Sequence, residues 1–233
     1  MIKRFAFVAA CIFAGACAAQ PPQKVSLTYD LSYNGVVAAE LTEVLEHDGK
    51  SFSLSSEGRG VGIGALLYRG AAKRSSRGEI TGAGLRPLEY RDQRGDKPAT
   101  VAQFNWARKT LTQEHDGKNE TTSMVPTLQD RLSFLYNFAF QSSPDLKLGK
   151  EIKVTLTDGK GLSHFQYKVA GMETLNTAAG ALETVHLVKQ RDNQDDKGTE
   201  IWFASERDFL PVRILVTEKD GVRIDQVLTH IGN

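Results

Sequence analysis

The rhythm of apolar positions divides the chain in two. A short apolar run from Phe5 to Ala16 follows Met1, Ile2, Lys3 and Arg4, and it is too brief to cross a bilayer. Small residues close it at Ala14-Gly15-Ala16-Cys17-Ala18-Ala19. A basic start, an apolar stretch and a small-residue end predict a secretory signal peptide over residues 1–19. From Ser26 the rhythm becomes strict alternation: in Ser26-Leu27-Thr28-Tyr29-Asp30-Leu31-Ser32-Tyr33 every second residue is apolar, which is the period of a strand with one buried face. Asn34-Gly35 ends it, a dipeptide that accepts positive φ at both central positions of a hairpin turn. A second strand is expected from Val36 to about Glu46.

The same punctuation recurs at Asp48-Gly49, Asp116-Gly117, Asp158-Gly159 and Asp220-Gly221, between β-type runs such as Ala102/Phe104/Trp106, Ile152/Val154/Leu156 and Val212/Ile214/Val216. Repeated short strands with turn signals predict an all-β fold, an antiparallel meander of roughly ten or more strands forming a closed or half-open barrel-like sheet. Residues 20–233 are expected to form one domain. Glu-His-Asp-Gly-Lys occurs at Glu46–Lys50 and again at Glu114–Lys118; the flanking sequences do not align, so it reads as repeated turn chemistry.

One segment changes period. After Pro126, Thr127 with Asp130 three residues on resembles a capping box, and Leu128, Leu132, Leu135, Tyr136 and Ala139 follow at helical spacing. The reading is one helix over about 128–140, buried because Phe134, Tyr136, Phe138 and Phe140 leave it apolar all round.

Glycine crowds one place, Gly58-Arg59-Gly60-Val61-Gly62-Ile63-Gly64-Ala65, which from Gly60 spells G-x-G-x-x-A. A phosphate cradle of that spacing needs a strand feeding a helix N-terminus. Here the chain runs through Leu66-Leu67-Tyr68-Arg69 into Gly70. The glycines therefore suit a strand end where the backbone bends or approaches another surface closely, with the following apolar residues as a flap, and no nucleotide cofactor is expected.

Composition narrows the function classes. Loss of Lys3 and Arg4 with the leader takes the formal charge from +1 to −1, which gives no electrostatic reason to bind nucleic acid. Both cysteines, Cys11 and Cys17, lie in the leader, so an exported mature chain is stabilised by its core and not by an internal disulfide. Two readings of Cys17 stand. Ala14-Gly15-Ala16-Cys17 resembles a lipobox, making Cys17 the lipidated anchor of an outer-membrane-associated periplasmic protein; or Ala-Cys-Ala is an ordinary cleavage site and the product is soluble.

Candidate chemistry is sparse. His47 and His115 sit in turns, while His164, His186 and His230 lie in strands without metal-ligand spacing, so no metal site is expected. Asp192 to Asp196 is acidic but lacks the ligand order of a calcium loop. No G-x-S-x-G is present, and catalytic residues are not expected. Seven aromatics, Tyr29, Tyr33, Phe104, Trp106, Phe165, Tyr167 and Trp202, are candidates to line a barrel interior holding a lipid or other apolar small molecule. Asp130, Arg131, Asp208 and Arg213 are candidates for an inward-facing ion pair that fixes the helix.

Gly84–Arg94 (GLRPLEYRDQR), Phe104–Trp106 (FNW), Gln129–Tyr136 (QDRLSFLY), Leu175–Val188 (LNTAAGALETVHLV) and Ile201–Ile214 (IWFASERDFLPVRI), in this order, resemble the exported bacterial family catalogued as domain of unknown function 3108. The resemblance spans the mature chain. It implies an envelope protein with a β-barrel-like fold, and it implies no activity and no catalytic residues. The alternatives are an envelope interaction protein with a filled core and, third, an envelope hydrolase revealed by convergent carboxyls with raised pKa in a cleft.

Overall fold

The computed structural model describes residues 21–62, 64–65, 70–191, 193 and 196–232. The expected leader with Cys17, most of the expected flap after Gly62 and most of the acidic loop at 192–196 lie outside these residues. The first eight strands are β1 (Lys24–Tyr33), β2 (Val36–His47), β3 (Ser51–Gly60), β4 (Ala72–Thr81), β5 (Gly84–Arg94), β6 (Thr100–Asn105), β7 (Thr110–His115) and β8 (Lys118–Ser123). After β9 (Leu128–Asp130) come α1 (Ser133–Tyr136) and a 3-10 turn (Asn137–Phe140). The chain ends with β10 (Glu151–Thr157), β11 (Leu162–Thr177), β12 (Gly180–Lys189), β13 (Gly198–Ala204), β14 (Leu210–Thr217) and β15 (Arg223–Gly232).

All fifteen strands belong to one sheet, ordered β8-β7-β6-β5-β4-β3-β2-β1-β15-β14-β13-β12-β11-β10-β9. It is a meander cut once: β1 pairs with β15, and the free ends fall at β8 and β9, which are neighbours in sequence. The sheet is thus half-open. Side chains bridge the gap where no ladder does: Gln113 Nε2 donates to Thr157 Oγ1 at 3.0 Å and Gln129 Nε2 to the Leu85 carbonyl at 2.7 Å. Gly159 abuts Thr100 so tightly that a Cβ would stand 2.5 Å from its methyl.

The turn chemistry splits into two kinds. Asn34-Gly35 and Asp116-Gly117 have both residues at positive φ (50° and 82°, 49° and 73°), the hairpin geometry whose twist matches that of the strands. At Asp48, Asp158 and Asp220 only the glycine is left-handed, and the aspartate carboxylate accepts the N–H two residues on. At Asp48 a second N–H, from Ser51, joins it. Hydrogen bonds from the backbone N–H groups of Ser51 and Lys50 lower the Asp48 pKa to about 2.

The expected helix is shorter than its spacing suggested. Leu128–Asp130 is a strand, paired in parallel with Thr155–Thr157 of β10, so the meander is not wholly antiparallel. The capping arrangement lies three residues later than Thr127: Asp130 Oδ1 accepts the N–H groups of Leu132 and Ser133 (2.9 and 2.7 Å), and the Asp130 N–H donates back to Ser133 Oγ. Ladder bonding to β10 holds Leu128, and the aspartate then turns the chain into helix.

The helical segment is pushed into the concave side of the sheet. Phe134 stacks on Tyr167 with ring centroids 5.5 Å apart, and Phe138 meets Phe134 and Phe203 edge-on. Leu27, Leu45, Leu54, Leu111, Leu132 and Leu187 are fully enclosed around them. Burial of this order, roughly 1.5–3 kcal/mol per large apolar side chain, stabilises a fold whose described residues hold no cysteine.

The glycine run ends β3. A Cβ on Gly60 would lie 2.6 Å from the Gly64 carbonyl oxygen, and one on Gly64 would lie 1.8 Å from that of Ala38. Backbone meets backbone here, which only glycine permits.

Candidate functional site

The seven aromatics do not share one setting. Tyr29, Phe104 and Tyr167 are buried in the hydrophobic core, while Trp106 and Phe165 are half-buried against it. Tyr33 is 53 % exposed beside the Asn34-Gly35 turn, because the strand outruns the core there. Trp202 is buried on the other side of the sheet. Its flanking residues Ile201 and Phe203 face the core with Leu187 and Val185 across the ladder, so alternation turns Trp202 and its partner His186 outward.

Two polar clusters emerge, one on each face. The inner one joins β2, β4, β9 and α1. Tyr136 O–H donates to Glu43 Oε2 at 2.7 Å, and Glu43 is 2 % exposed. Burial raises the Glu43 pKa, and the Tyr136 hydroxyl and the Arg74 charge offset that only in part. Nearby in the same half of the sheet, Ser76 Oγ donates to Asp130 Oδ2 at 2.6 Å, and burial raises the Asp130 pKa as well. Tyr29 O–H donates to the Pro211 carbonyl at 2.8 Å, fixing the start of β14, where the missing proline N–H is tolerated after the left-handed pair Asp208-Phe209. The Tyr90 hydroxyl is enclosed with no partner among the described residues, and burial raises its pKa.

The outer cluster crosses five strands. His186 on β12 stacks flat on Trp202 of β13, with centroids 4.1 Å apart and planes 8° apart. The Arg213 guanidinium on β14 lies 4.7 Å from the indole centroid. The two arrive from opposite neighbours of β13, so the indole stands between them. Glu173 on β11 accepts the Trp202 indole N–H at 2.6 Å and lies 3.4 Å from His186 Nδ1. Glu200 Oε2 sits 2.9 Å from Nε2. Arg213 forks onto Asp225 of β15 at 2.9 and 2.7 Å, a bidentate pair that raises the Arg213 pKa.

The expected ion pair is not made. Asp130 is the inward acid, but its partners are Ser76 and backbone N–H groups; Arg131 points away to Asp158, 3.4 Å distant and half-exposed. Asp208 takes the left-handed turn (φ 52°) and does not pair with Arg213, which goes to Asp225. Glu43, Glu173, His186 and Asp225 were missed, because only cross-strand register brings them to their partners. The alternation of Val185/Leu187 against His186, and of Ile201/Phe203 against Trp202, was the available signal.

Chemically the outer cluster is a clamp. The two imidazole nitrogens point to opposite edges of the ring, so Glu173 and Glu200 cannot join His186 on one ion, and among the described residues no group of three acids or histidines is placed to hold a metal. The inner carboxyls are enclosed. Two grooves open among the described residues, one of about 270 Å³ lined by Ser55, Ser56, Lys73, Arg74, Ser75 and Arg91, of which Ser56 and Arg74 neighbour Glu43, and another of about 430 Å³ beside His47, Asp48 and Phe52.

A family model described as a protein of unknown function, DUF3108, matches residues 28–227. No curated protein matches the sequence. Among solved structures, a beta-barrel-like protein of domain of unknown function DUF1849 from Brucella abortus shares the fold: TM-score 0.53 at 10% identity, covering 91% of this chain and 98% of that one. A Bacteroides fragilis protein with a YmcC-like fold is 10% identical with a TM-score of 0.40, over 93% of this chain and 100% of its own.

Proposed function

This chain belongs to the DUF3108 family, and from that premise we propose that it is an exported, non-catalytic envelope protein that works through its surface, around a filled β-barrel-like core. The observation that carries the reading is the fate of the aromatics: Tyr29, Phe104 and Tyr167 pack against other core side chains, and Phe134 and Phe138 occupy the space in which a ligand would lie. Export rests on the leader at residues 1–19. Glu43 and Asp130 are buried and their carboxyls are engaged by Tyr136 and Ser76, so neither is presented to a substrate, which disfavours the hydrolase reading.

Native mass spectrometry of the protein purified from its own envelope tests this. The expected spectrum is an empty chain beginning after the leader. A co-purifying lipid of defined mass, displaced when Phe104 is replaced by a charged residue in a still-folded protein, would instead establish an apolar-ligand carrier. The mass of the first residue decides between a lipidated Cys17, tethered to the outer membrane, and simple cleavage.

A further inference from the structure

The two free ends of the sheet are treated differently. β9 is three residues long, with Leu128 and Asp130 buried. β8 is six residues long, and all six are exposed. Its inner neighbour is β7, joined through the two-residue Asp116-Gly117 turn, with His115 opposite Lys118, Gln113 opposite Glu120 and Leu111 opposite Thr122. In a two-residue hairpin the closing pair exchanges both backbone hydrogen bonds, and such pairs then alternate along the ladder. Lys118, Glu120 and Thr122 therefore bond to β7, while Asn119, Thr121 and Ser123 turn their N–H and C=O groups outward to an edge that no other described strand pairs with.

We propose that this edge pairs with β8 of a second copy, antiparallel, about a two-fold axis at Thr121. A two-fold axis through an antiparallel pair sets one residue opposite itself, which limits the registers. An axis at Glu120 opposes two carboxylates; an axis at Asn119 runs the partner strand into the Asp116-Gly117 turn, where left-handed backbone ends the ladder. With the axis at Thr121, Thr121 faces Thr121 of the second copy, Asn119 faces Ser123, and Glu120 faces Thr122. Three outward-facing pairs then form about six backbone hydrogen bonds with no like charges opposed. Cross-strand threonine and serine hydroxyls add hydrogen bonds of their own. The interface joins two half-open sheets edge to edge and is independent of what fills the core.

The test is sedimentation velocity of the full mature chain over a concentration series, with Thr121→Lys and Thr121→Glu beside the wild type. Thr121 is exposed, and unchanged melting temperatures serve as the folding check. The wild type should associate to a dimer. Each variant alone, with like charges at the axis, should associate at least about tenfold more weakly, and an equimolar mixture of the two should recover a one-to-one heterodimer. A wild type that stays monomeric, a dimer indifferent to these substitutions, or a mixture that fails to recover association overturns the proposal.

Discussion

The two polar clusters use the same residue types in opposite ways. On the concave side, Glu43 and Asp130 are enclosed, and burial raises both pKa values, so each serves as a hydrogen-bonding carboxyl whose charge is a liability. On the convex side, Asp225 forks onto Arg213, and Glu173 and Glu200 bracket His186, all within reach of water. There the charge is what binds. A carboxyl inside this sheet organises backbone and hydroxyls; a carboxyl outside it ties neighbouring strands through cations and one indole.

Substitutions sharpen that contrast, beginning with the one expected to cost most. Trp202→Ala removes the ring between His186 and Arg213 and should destabilise the protein by about 3 kcal/mol, measured by urea unfolding. Asp130→Ala leaves the Ser76 hydroxyl and two N–H groups unpaired and should cost about 2–3 kcal/mol, whereas Asp130→Asn, which keeps an acceptor, should lose clearly less. If Asn were as harmful as Ala, the inner carboxyl would be acting as a charge, and the contrast would collapse.

These two positions also mark what could be read from the sequence. The β class, the dipeptide turns and the enclosed aromatics of 134–140 were legible because alternation and turn chemistry are local. The helix start was misplaced by several residues because Leu128 fits both a helical spacing and a short parallel strand, and only β10 decides between them. Trp202 was grouped with the interior aromatics because apolar residues flank it on both sides, at Ile201 and Phe203, while its cover of His186 and Arg213 comes from other strands. The pairings of Asp130 with Ser76 and of Tyr136 with Glu43 join residues 54 and 93 positions apart, beyond any local signal.

Acidity offers a further contrast. A carboxyl whose folded pKa lies above its ordinary value, 4.5 for Glu43 and 3.8 for Asp130, keeps its proton in the folded state after the unfolded chain has lost it. Stability from these groups is therefore largest below their ordinary values and falls as pH rises from there toward the folded values. Glu43→Gln should flatten that fall and raise stability at neutral pH, seen in melting temperature across a pH series. The smallest effect is expected at the outer cluster: Arg213→Lys keeps the charge but loses the fork onto Asp225 and the guanidinium's place over Trp202, costing about 0.5–1 kcal/mol.

The central claim is that the concave side is filled by the protein's own side chains. Titration of the purified, delipidated chain with a fluorescent fatty acid tests it most directly. A filled core predicts no saturable signal at concentrations where the chain stays folded; saturable one-to-one binding, abolished when Phe104 is replaced by a charged residue, would contradict it.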